Sequence, residues 1–161
     1  MLLLQGCVTQ PIVQQVVVPI DIPSEWQVKG RMGVVIDGKA QNSSFDITFQ
    51  DQNFYLTLTG ILGLGQINIT SKTSGLKVNG KDSTLNLKQL MSQELGWYFP
   101  LDQLGNIIFK HRLDIDDAWK LEVIKFGAYQ GANVAKVARL KHSTRSIKIK
   151  LLFQEILPNL N

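Results

Sequence analysis

Residues 26–49 of the chain read WQVKGRMGVVIDGKAQNSSFDITF. Apolar and polar residues alternate in the first half of this stretch, and the alternation resumes after the pair Asp37-Gly38. Because successive side chains of a strand point to opposite faces, the pattern predicts two half-buried strands. An Asp-Gly pair between such runs indicates a tight hairpin turn. The apolar residues of the first strand share one face: Trp26, Val28, Met32, Val34 and Ile36.

The same alternation continues to about residue 78 and returns after residue 119. Further short strands are predicted around residues 54–59, 66–70, 76–78, 119–123, 134–140 and 147–153. Two groups of strands with helices between them indicate an α+β protein. We predict an antiparallel incomplete (half-open) β-barrel, covered by short helices, with an apolar cavity. A fully packed core is the alternative, and composition does not separate the two.

Two short helices are predicted between the groups of strands. Asp82-Ser83-Thr84 offers N-cap residues for the first helix, and Gly96 suits its C-terminal end. Pro100 suits the first turn of the second helix. The apolar faces of the two helices are formed by Leu87, Leu90, Met91 and Leu95, and by Leu101, Leu104 and Ile108.

The N-terminus carries Cys7, the only cysteine of the chain. The preceding Leu4-Gln5-Gly6 resembles a lipobox, in which the cysteine is lipidated, although the apolar run before it is shorter than a secretory signal requires. A chance cysteine is the other interpretation. Residues 8–25 contain three prolines and no helical period, which favours a linker. We therefore predict a truncated signal with lipobox at 1–7, a linker at 8–25 and a lipoprotein-binding half-barrel domain at 26–161.

Composition and charge limit the classes of function that the chain could have. A length of 161 residues suits one domain, and no apolar run approaches the ~20 residues that cross a bilayer. The net charge is +4, and basic residues crowd the C-terminal quarter: Arg139, Lys141, His142, Arg145, Lys148 and Lys150. Anionic lipid head groups or a solvated strand face would account for them. Aromatic residues that could stack bases are missing from this stretch, so no nucleic-acid partner is expected.

Motifs for catalysis or metal binding do not emerge from the sequence. The two histidines have no ligand partner at zinc spacing. A calcium loop opening at Asp114 would need glycine at its sixth position and glutamate at its twelfth, where Trp119 and Lys125 stand. Ser143 follows a histidine but lacks a glycine elbow. We predict a protein that is not an enzyme and that has no cofactor and no metal.

A glycine-rich loop at residues 60–65 holds three large aliphatic residues, Ile61, Leu62 and Leu64. A phosphate-binding loop would be followed by a helix, whereas residues 66–70 are strand-like. Loops meet water and are usually polar. The three side chains therefore either fold back onto the core or stay exposed to enter a bilayer or a partner's groove.

Three stretches carry a family resemblance. They are Trp26 with Gly30-Arg31, the run YLTLTGILG at residues 55–63, and the run GWYFPLDQL at residues 96–104. In this order and spacing, behind a lipobox, they resemble the LolB family of outer-membrane lipoprotein receptors of Gram-negative bacteria. The resemblance covers roughly residues 26–153. It implies an incomplete β-barrel covered by helices, with an apolar cavity.

The resemblance also implies a function. A LolB-like protein would be lipid-anchored on the periplasmic face of the outer membrane, accept acylated lipoproteins from a LolA-type periplasmic carrier, and insert them among the outer-membrane lipids. The match places the family's protruding leucine at Leu62, with Ile61 and Leu64 beside it. We expect a monomer. The inward-facing residues predicted to line the acyl cavity are Trp26, Val34, Phe45, Phe49, Leu56, Trp97 and Ile149.

The alternative is an envelope lipoprotein that binds another apolar ligand or serves as a structural subunit of an envelope complex. Acyl-chain ligand that copurifies with the protein would favour the receptor. A closed, filled core would favour the structural subunit.

Overall fold

Nine antiparallel strands form one sheet in the order β6-β5-β4-β3-β2-β1-β9-β8-β7. The computed structural model describes residues 19–60, 65–115 and 118–158. The strands are β1 Glu25–Ile36, β2 Lys39–Gln50, β3 Asn53–Thr59, β4 Gln66–Lys72, β5 Gly75–Val78, β6 Lys81–Ser83, β7 Trp119–Tyr129, β8 Ala132–His142 and β9 Ile147–Pro158. Within the described ranges β6 and β7 each pair with one strand, so the sheet does not close. The predicted antiparallel, unclosed architecture with short helices is confirmed.

The hairpin at residues 26–49 forms as predicted. β1 and β2 pair along their whole length, from Glu25 opposite Gln50 to Ile36 opposite Lys39. Both turn residues, Asp37 and Gly38, have positive φ. A type I′ turn requires this geometry, and its twist matches that of the flanking strands. The long hairpin thus provides the central pair of strands onto which β3 and β9 add on either side.

Helical structure covers the inner face of the sheet. α1 spans Leu87–Leu95 and is followed by a segment with a 3₁₀ turn at Leu101–Gln103 and a π-helical turn at Asn106–Lys110. Residues 96–110 are called the covering segment below. The predicted second helix exists, and its predicted apolar residues Leu101, Leu104 and Ile108 are all buried, but it is not a regular α-helix.

The irregular geometry follows from burial on two sides. Ile107, Ile108 and Phe109 are consecutive, and each is fully buried. An α-helix turns by about 100° per residue, so three such residues would spread over much of its circumference. The far side of the segment is covered by the chain before β1: Ile20 N–H donates to the Phe109 carbonyl (3.2 Å), and Ile22 packs onto the core. The end of the segment predicted as a linker therefore lies against the domain.

The cap of α1 is not where the sequence predicts it. Residues 81–83 form β6, which pairs with β5, so the predicted capping residues Asp82 and Ser83 belong to a strand. The cap is Asn86, whose side chain accepts a hydrogen bond from the Gln89 backbone at 2.9 Å. Gln89 Oε1 accepts one in return from the Asn86 N–H at 3.1 Å, which completes a capping box. Gly96 ends the helix in the left-handed conformation, as predicted.

Candidate functional site: an apolar interior under the covering segment

An apolar pocket lies between the sheet and the covering segment. β1, β2, β3 and β9 form its floor, and the covering segment forms its roof. Its nine lining residues are Met32, Phe45, Ile47, Leu56, Leu58, Phe99, Leu101, Leu104 and Leu151. None of these side chains offers a hydrogen bond, so only an apolar molecule or an apolar part of one would be accommodated without a cost in desolvation.

In this conformation the pocket is nearly filled. The space open to the centre of a water-sized sphere is about 10 Å³, roughly what one water molecule requires. Sites that enclose small-molecule ligands measure about 300–1,000 Å³. The interior is thus apolar and, in this state, packed. An acyl chain could enter only if the covering segment moved away from the sheet.

The predicted lining residues divide into three groups. Phe45 and Leu56 line the pocket. Phe49 is half-buried and lies at the rim of the interior. The remaining four are buried in the same core but outside the pocket wall: Trp26, Val34, Trp97 and Ile149.

The roof residues Phe99, Leu101 and Leu104 were missing from the predicted lining. A signal for two of them was available, since Leu101 and Leu104 form the predicted apolar face of the second helix.

An aromatic cluster closes one end of the interior. Trp26 and Phe49 stack with ring centroids 4.3 Å apart and planes 11° apart. Phe54 lies 6.0 Å from Phe49, and Phe109 of the covering segment meets Trp26 edge to face at 5.2 Å. Tyr129 in turn meets Phe109 at 5.6 Å. The cluster joins the sheet to the covering segment through aromatic contacts, which favour such offset and edge-to-face geometries.

A solvent-facing cleft of about 650 Å³ lies on the other side of this cluster. It is bounded by the β2–β3 turn, the start of α1 and the covering segment, with Phe49, Phe54, Leu87, Tyr98 and Asp102 among its lining residues. Ile47 and Leu56 face each other across β2 and β3 and line the pocket. Phe49 and Phe54 form the next inward-facing pair along the same two strands. Cleft and pocket are therefore separated by about one layer of side chains.

Hydrogen bonds hold the middle and the C-terminal end of the covering segment. At its middle, Gln103 Oε1 accepts hydrogen bonds from Asn106 Nδ2 and from the Asp114 N–H, both at 3.0 Å. Just beyond its C-terminal end, the His111 ring lies 3.1 Å from the Asn133 carbonyl of β8. At the other end, Trp97 is fully buried, and its indole N–H has no hydrogen-bond partner among the described residues. A buried unpaired donor of this kind costs about 1–3 kcal/mol.

The base of the apolar loop is well defined. β3 and β4 pair up to Thr59 opposite Gln66, and the Gly60 N–H donates to the Gly65 carbonyl at 2.7 Å. Both glycines have positive φ, which they adopt without strain. The predicted loop residues Ile61, Leu62 and Leu64 lie outside the described residues, as does Cys7.

Taken together, these features define an α+β protein in which one unclosed antiparallel sheet is covered by short helices over an apolar interior. A family model described as "Outer membrane lipoprotein LolB" matches residues 24–121, more than half of the chain. The chain belongs to the LolB family, as the sequence motifs predict.

Relatives named "Outer-membrane lipoprotein LolB" agree with this assignment. One from Francisella tularensis subsp. tularensis (strain WY96-3418) is 33% identical over 84 residues, a match that covers 50% of this chain and 41% of that protein. One from Shewanella amazonensis is 25% identical over 171 residues and covers 92% of this chain and 83% of the relative. The chain thus matches less than half the length of the Francisella relative. None of the described helices is long and apolar enough to cross a membrane.

Proposed function

We propose that this protein is an outer-membrane lipoprotein that receives acylated lipoproteins from a LolA-type periplasmic carrier and passes them to the outer membrane. Membership of the LolB family supports the proposal. The observation that carries it is the apolar pocket beneath the covering segment, whose nine lining side chains are all apolar. In this proposal Cys7 is acylated and holds the protein at the periplasmic face, since two or more acyl chains give stable anchoring.

Acyl chains would reach the interior from the solvent-facing cleft beside Phe49 and Phe54. The cleft already has room for part of a chain, and the aromatic layer of Phe49 and Phe54 separates it from the pocket. The covering segment begins beside this cleft, where Tyr98 lines the cleft and the buried Trp97 indole N–H has no hydrogen-bond partner among the described residues. In the proposed mechanism this end moves outward, and the acyl chain takes the place of the roof residues against the sheet.

No covalent bond is made or broken in this transfer. The receptor has only to bind the acyl chains more tightly than the carrier does. Each buried methylene group contributes about 0.8 kcal/mol, and about 1.4 kcal/mol corresponds to a tenfold difference in affinity. Two additional methylene groups held out of water would therefore be sufficient to direct cargo from carrier to receptor.

Release into the bilayer is assigned to Leu62, with Ile61 and Leu64 beside it. The β3–β4 pair is closed on either side of these residues by the hydrogen bond from the Gly60 N–H to the Gly65 carbonyl. Transfer of one leucine side chain from water to an apolar medium is worth about 1.5–3 kcal/mol. This is too little to anchor the protein and enough to favour local insertion.

The packed pocket also favours a second candidate, a structural subunit of an envelope complex, because a filled core needs no ligand. Mass spectrometry of the purified Cys7→Ser chain separates the two. The receptor should carry copurified acyl-bearing molecules and should take cargo from a loaded LolA-type carrier. A chain that neither carries nor accepts acyl groups would exclude the receptor function.

The loop is tested by Leu62→Glu in a reconstituted transfer to vesicles. Acceptance from the carrier should be retained and incorporation into the bilayer lost. Leu157→Glu serves as the matched control, because Leu157 is an exposed apolar residue (42% exposed) near the opposite end of the sheet. Normal delivery by the Leu62→Glu protein would exclude the proposed role of the loop.

A further inference from the structure

The outer face of β7, β8 and β9 carries three lysines in one row. Lys120 lies opposite Lys141, and Lys141 lies opposite Lys148. All three are exposed. The next row on the same face consists of Glu122, Arg139 and Lys150. Two adjacent rows across three strands therefore present five basic groups and one carboxylate.

The lysine row has no ion-pair partner among the described residues. Glu122 pairs with Arg139 at 3.2 Å. In the part of the chain that the structure describes, no ion pair includes Lys120, Lys141, Lys148 or Lys150. Like charges directly opposite one another destabilise a sheet. Exposure to water explains why the residues on this face are polar. It does not explain why adjacent residues carry the same charge. A run of like charge suggests an anionic partner.

The position of the row indicates which partner. The row lies near the β8–β9 turn, which is tied to the β1–β2 turn by the Asp37 N–H bonded to the Ser146 carbonyl at 3.0 Å. Because β1 runs antiparallel to both β2 and β9, and β3 antiparallel to β2, β3 runs toward this same end of the sheet and stops at Thr59, opposite Ser44. The lysine row and the described ends of β3 and β4, Thr59 and Gln66, therefore lie toward the same end of the strands. Arg145 adds a further exposed basic group in the β8–β9 turn.

We propose that the outer face of β7–β9 docks on the anionic phospholipid headgroups of the bilayer surface. Lysine is a compact point charge suited to headgroup phosphates, and a flat row on a sheet contacts several of them at once. Thr59 and Gln66, where β3 and β4 meet their connection, lie toward the same end of the strands as the lysine row. The inference rests on the proposed function in one respect, that this connection enters the membrane, but headgroup binding itself is measured without cargo.

The test compares vesicle binding by the full chain carrying Cys7→Ser, so that no acyl anchor contributes. Vesicles contain phosphatidylcholine alone or with about 30 mol% phosphatidylglycerol, within the range of anionic surfaces that attract basic segments. Substituting Lys120, Lys141 and Lys148 together by Gln should weaken partitioning onto the anionic vesicles by about tenfold or more. Binding of the Cys7→Ser parent should also fall with rising salt, because surface charges are screened.

A matched variant controls for net charge. Lys72, Lys77 and Lys81 lie on β4, β5 and β6 at the other side of the sheet and are exposed. Their replacement by Gln removes the same three charges and should change binding to anionic vesicles by less than about twofold. Circular dichroism establishes that both triple variants fold. Equal binding by the two triple variants would overturn the proposal.

Two further outcomes separate this inference from the proposed function. If the Lys120/Lys141/Lys148 variant binds anionic vesicles normally but no longer accepts cargo from the carrier, the face contacts an acidic protein and the headgroup proposal is wrong. If the parent chain accepts no acylated cargo while its binding to anionic vesicles still depends on the row, the proposed function fails and the headgroup site stands.

Discussion

Trp26 and Phe49 face each other across the β1–β2 pair and stack with their ring centroids 4.3 Å apart. Trp26 is buried and contacts Phe109 of the covering segment, whereas Phe49 lines the solvent-facing cleft. Trp26 thus supports Phe49, which together with Phe54 forms the aromatic layer between the solvent-facing cleft and the pocket. The strength of the stack should govern both the stability of the β1–β2 hairpin and the ease with which an apolar chain passes inward.

A double-mutant cycle measures this stack. Trp26→Ala and Phe49→Ala should each destabilise the protein, with about 3–5 kcal/mol expected for the buried tryptophan. Their coupling in urea denaturation should be about 0.5–1.5 kcal/mol, the range for aromatic pairs beyond their burial. Fully additive effects would show that the stacking geometry contributes no stability of its own.

Gly30 should not tolerate a side chain. A Cβ at this position would overlap the Leu152 carbonyl oxygen and the Phe45 ring. The backbone oxygen belongs to the neighbouring strand β9 and cannot turn away, so Gly30→Ala should cost about 1–3 kcal/mol in the free energy of unfolding. Gly33→Ala is the control, because its Cβ would meet only the end of the Asn42 side chain at 3.1 Å. Equal losses in the two variants would contradict the assigned clash.

Tyr129→Phe should leave stability unchanged or raise it. The Tyr129 hydroxyl is buried and has no hydrogen-bond partner within the described ranges, and burial raises the pKa of this phenol. Removing a hydroxyl that makes a hydrogen bond usually costs about 1 kcal/mol, but removing an unpaired buried one relieves its desolvation. The ring and its contact with Phe109 remain. A loss above about 1 kcal/mol on thermal or urea unfolding would indicate a hydrogen bond to this hydroxyl.

Stability should decline as the pH falls below about 6.5, and His111 should contribute to the decline. Burial lowers the pKa of this ring, with the hydrogen bond to the Asn133 carbonyl opposing the shift. At a pH above the pKa of histidine in the unfolded chain, the His111 ring is neutral in both the folded and the unfolded state. Its full contribution to the free energy of unfolding is then present. Below that pKa the unfolded chain takes up the proton first, so stability is lost until the folded pKa is passed.

His111→Asn is the matching variant, because asparagine tolerates the left-handed backbone found at this position (φ 58°). The midpoint of urea denaturation should vary less between pH 7 and 5 in this variant than in the parent. An unchanged pH dependence would show that the ring contributes nothing to it.

Leu104→Ala should open the roof of the pocket. Leu104 is 1% exposed and lines the pocket, so its truncation leaves a cavity and should cost about 2–5 kcal/mol. Uptake of a fluorescent fatty-acid analogue should become faster or tighter. Leu140→Ala is the control: Leu140 is equally buried, lies on β8 and does not line the pocket, so stability should fall without gain in uptake. Similar uptake by both variants would place the acyl site elsewhere.

Local sequence pattern predicts the strands and turns well because both depend on neighbouring residues. The alternation from Trp26 specifies an inward face, and Asp37-Gly38 and Asn79-Gly80 adopt the positive φ angles their residue types permit. β6 is missed because three residues are too few to show alternation. Asp82 and Asn86 are both good capping residues, and only the pairing of β6 with β5 decides between them.

The site is less predictable because it depends on contacts between distant segments. Alternation shows that Trp26 and Val34 point inward, but it does not show which inward residues lie beneath the covering segment. Phe99 enters the pocket wall through the path of residues 96–110 across the sheet. That path follows from packing against both the sheet and Ile20, and no pattern within the segment encodes it.

The unpaired edges of the sheet have a consequence for capacity. In a closed barrel, the number and stagger of the strands set the circumference. A ligand too large for the interior could then enter only if hydrogen bonds between strands broke. Here, within the described ranges, the run of paired strands ends at β6 on one side and β7 on the other. The gap between them can widen or narrow while every strand pair stays intact. Strand pairing therefore does not fix the volume of the interior, and in the proposed function one backbone would accommodate acyl groups of different number and length.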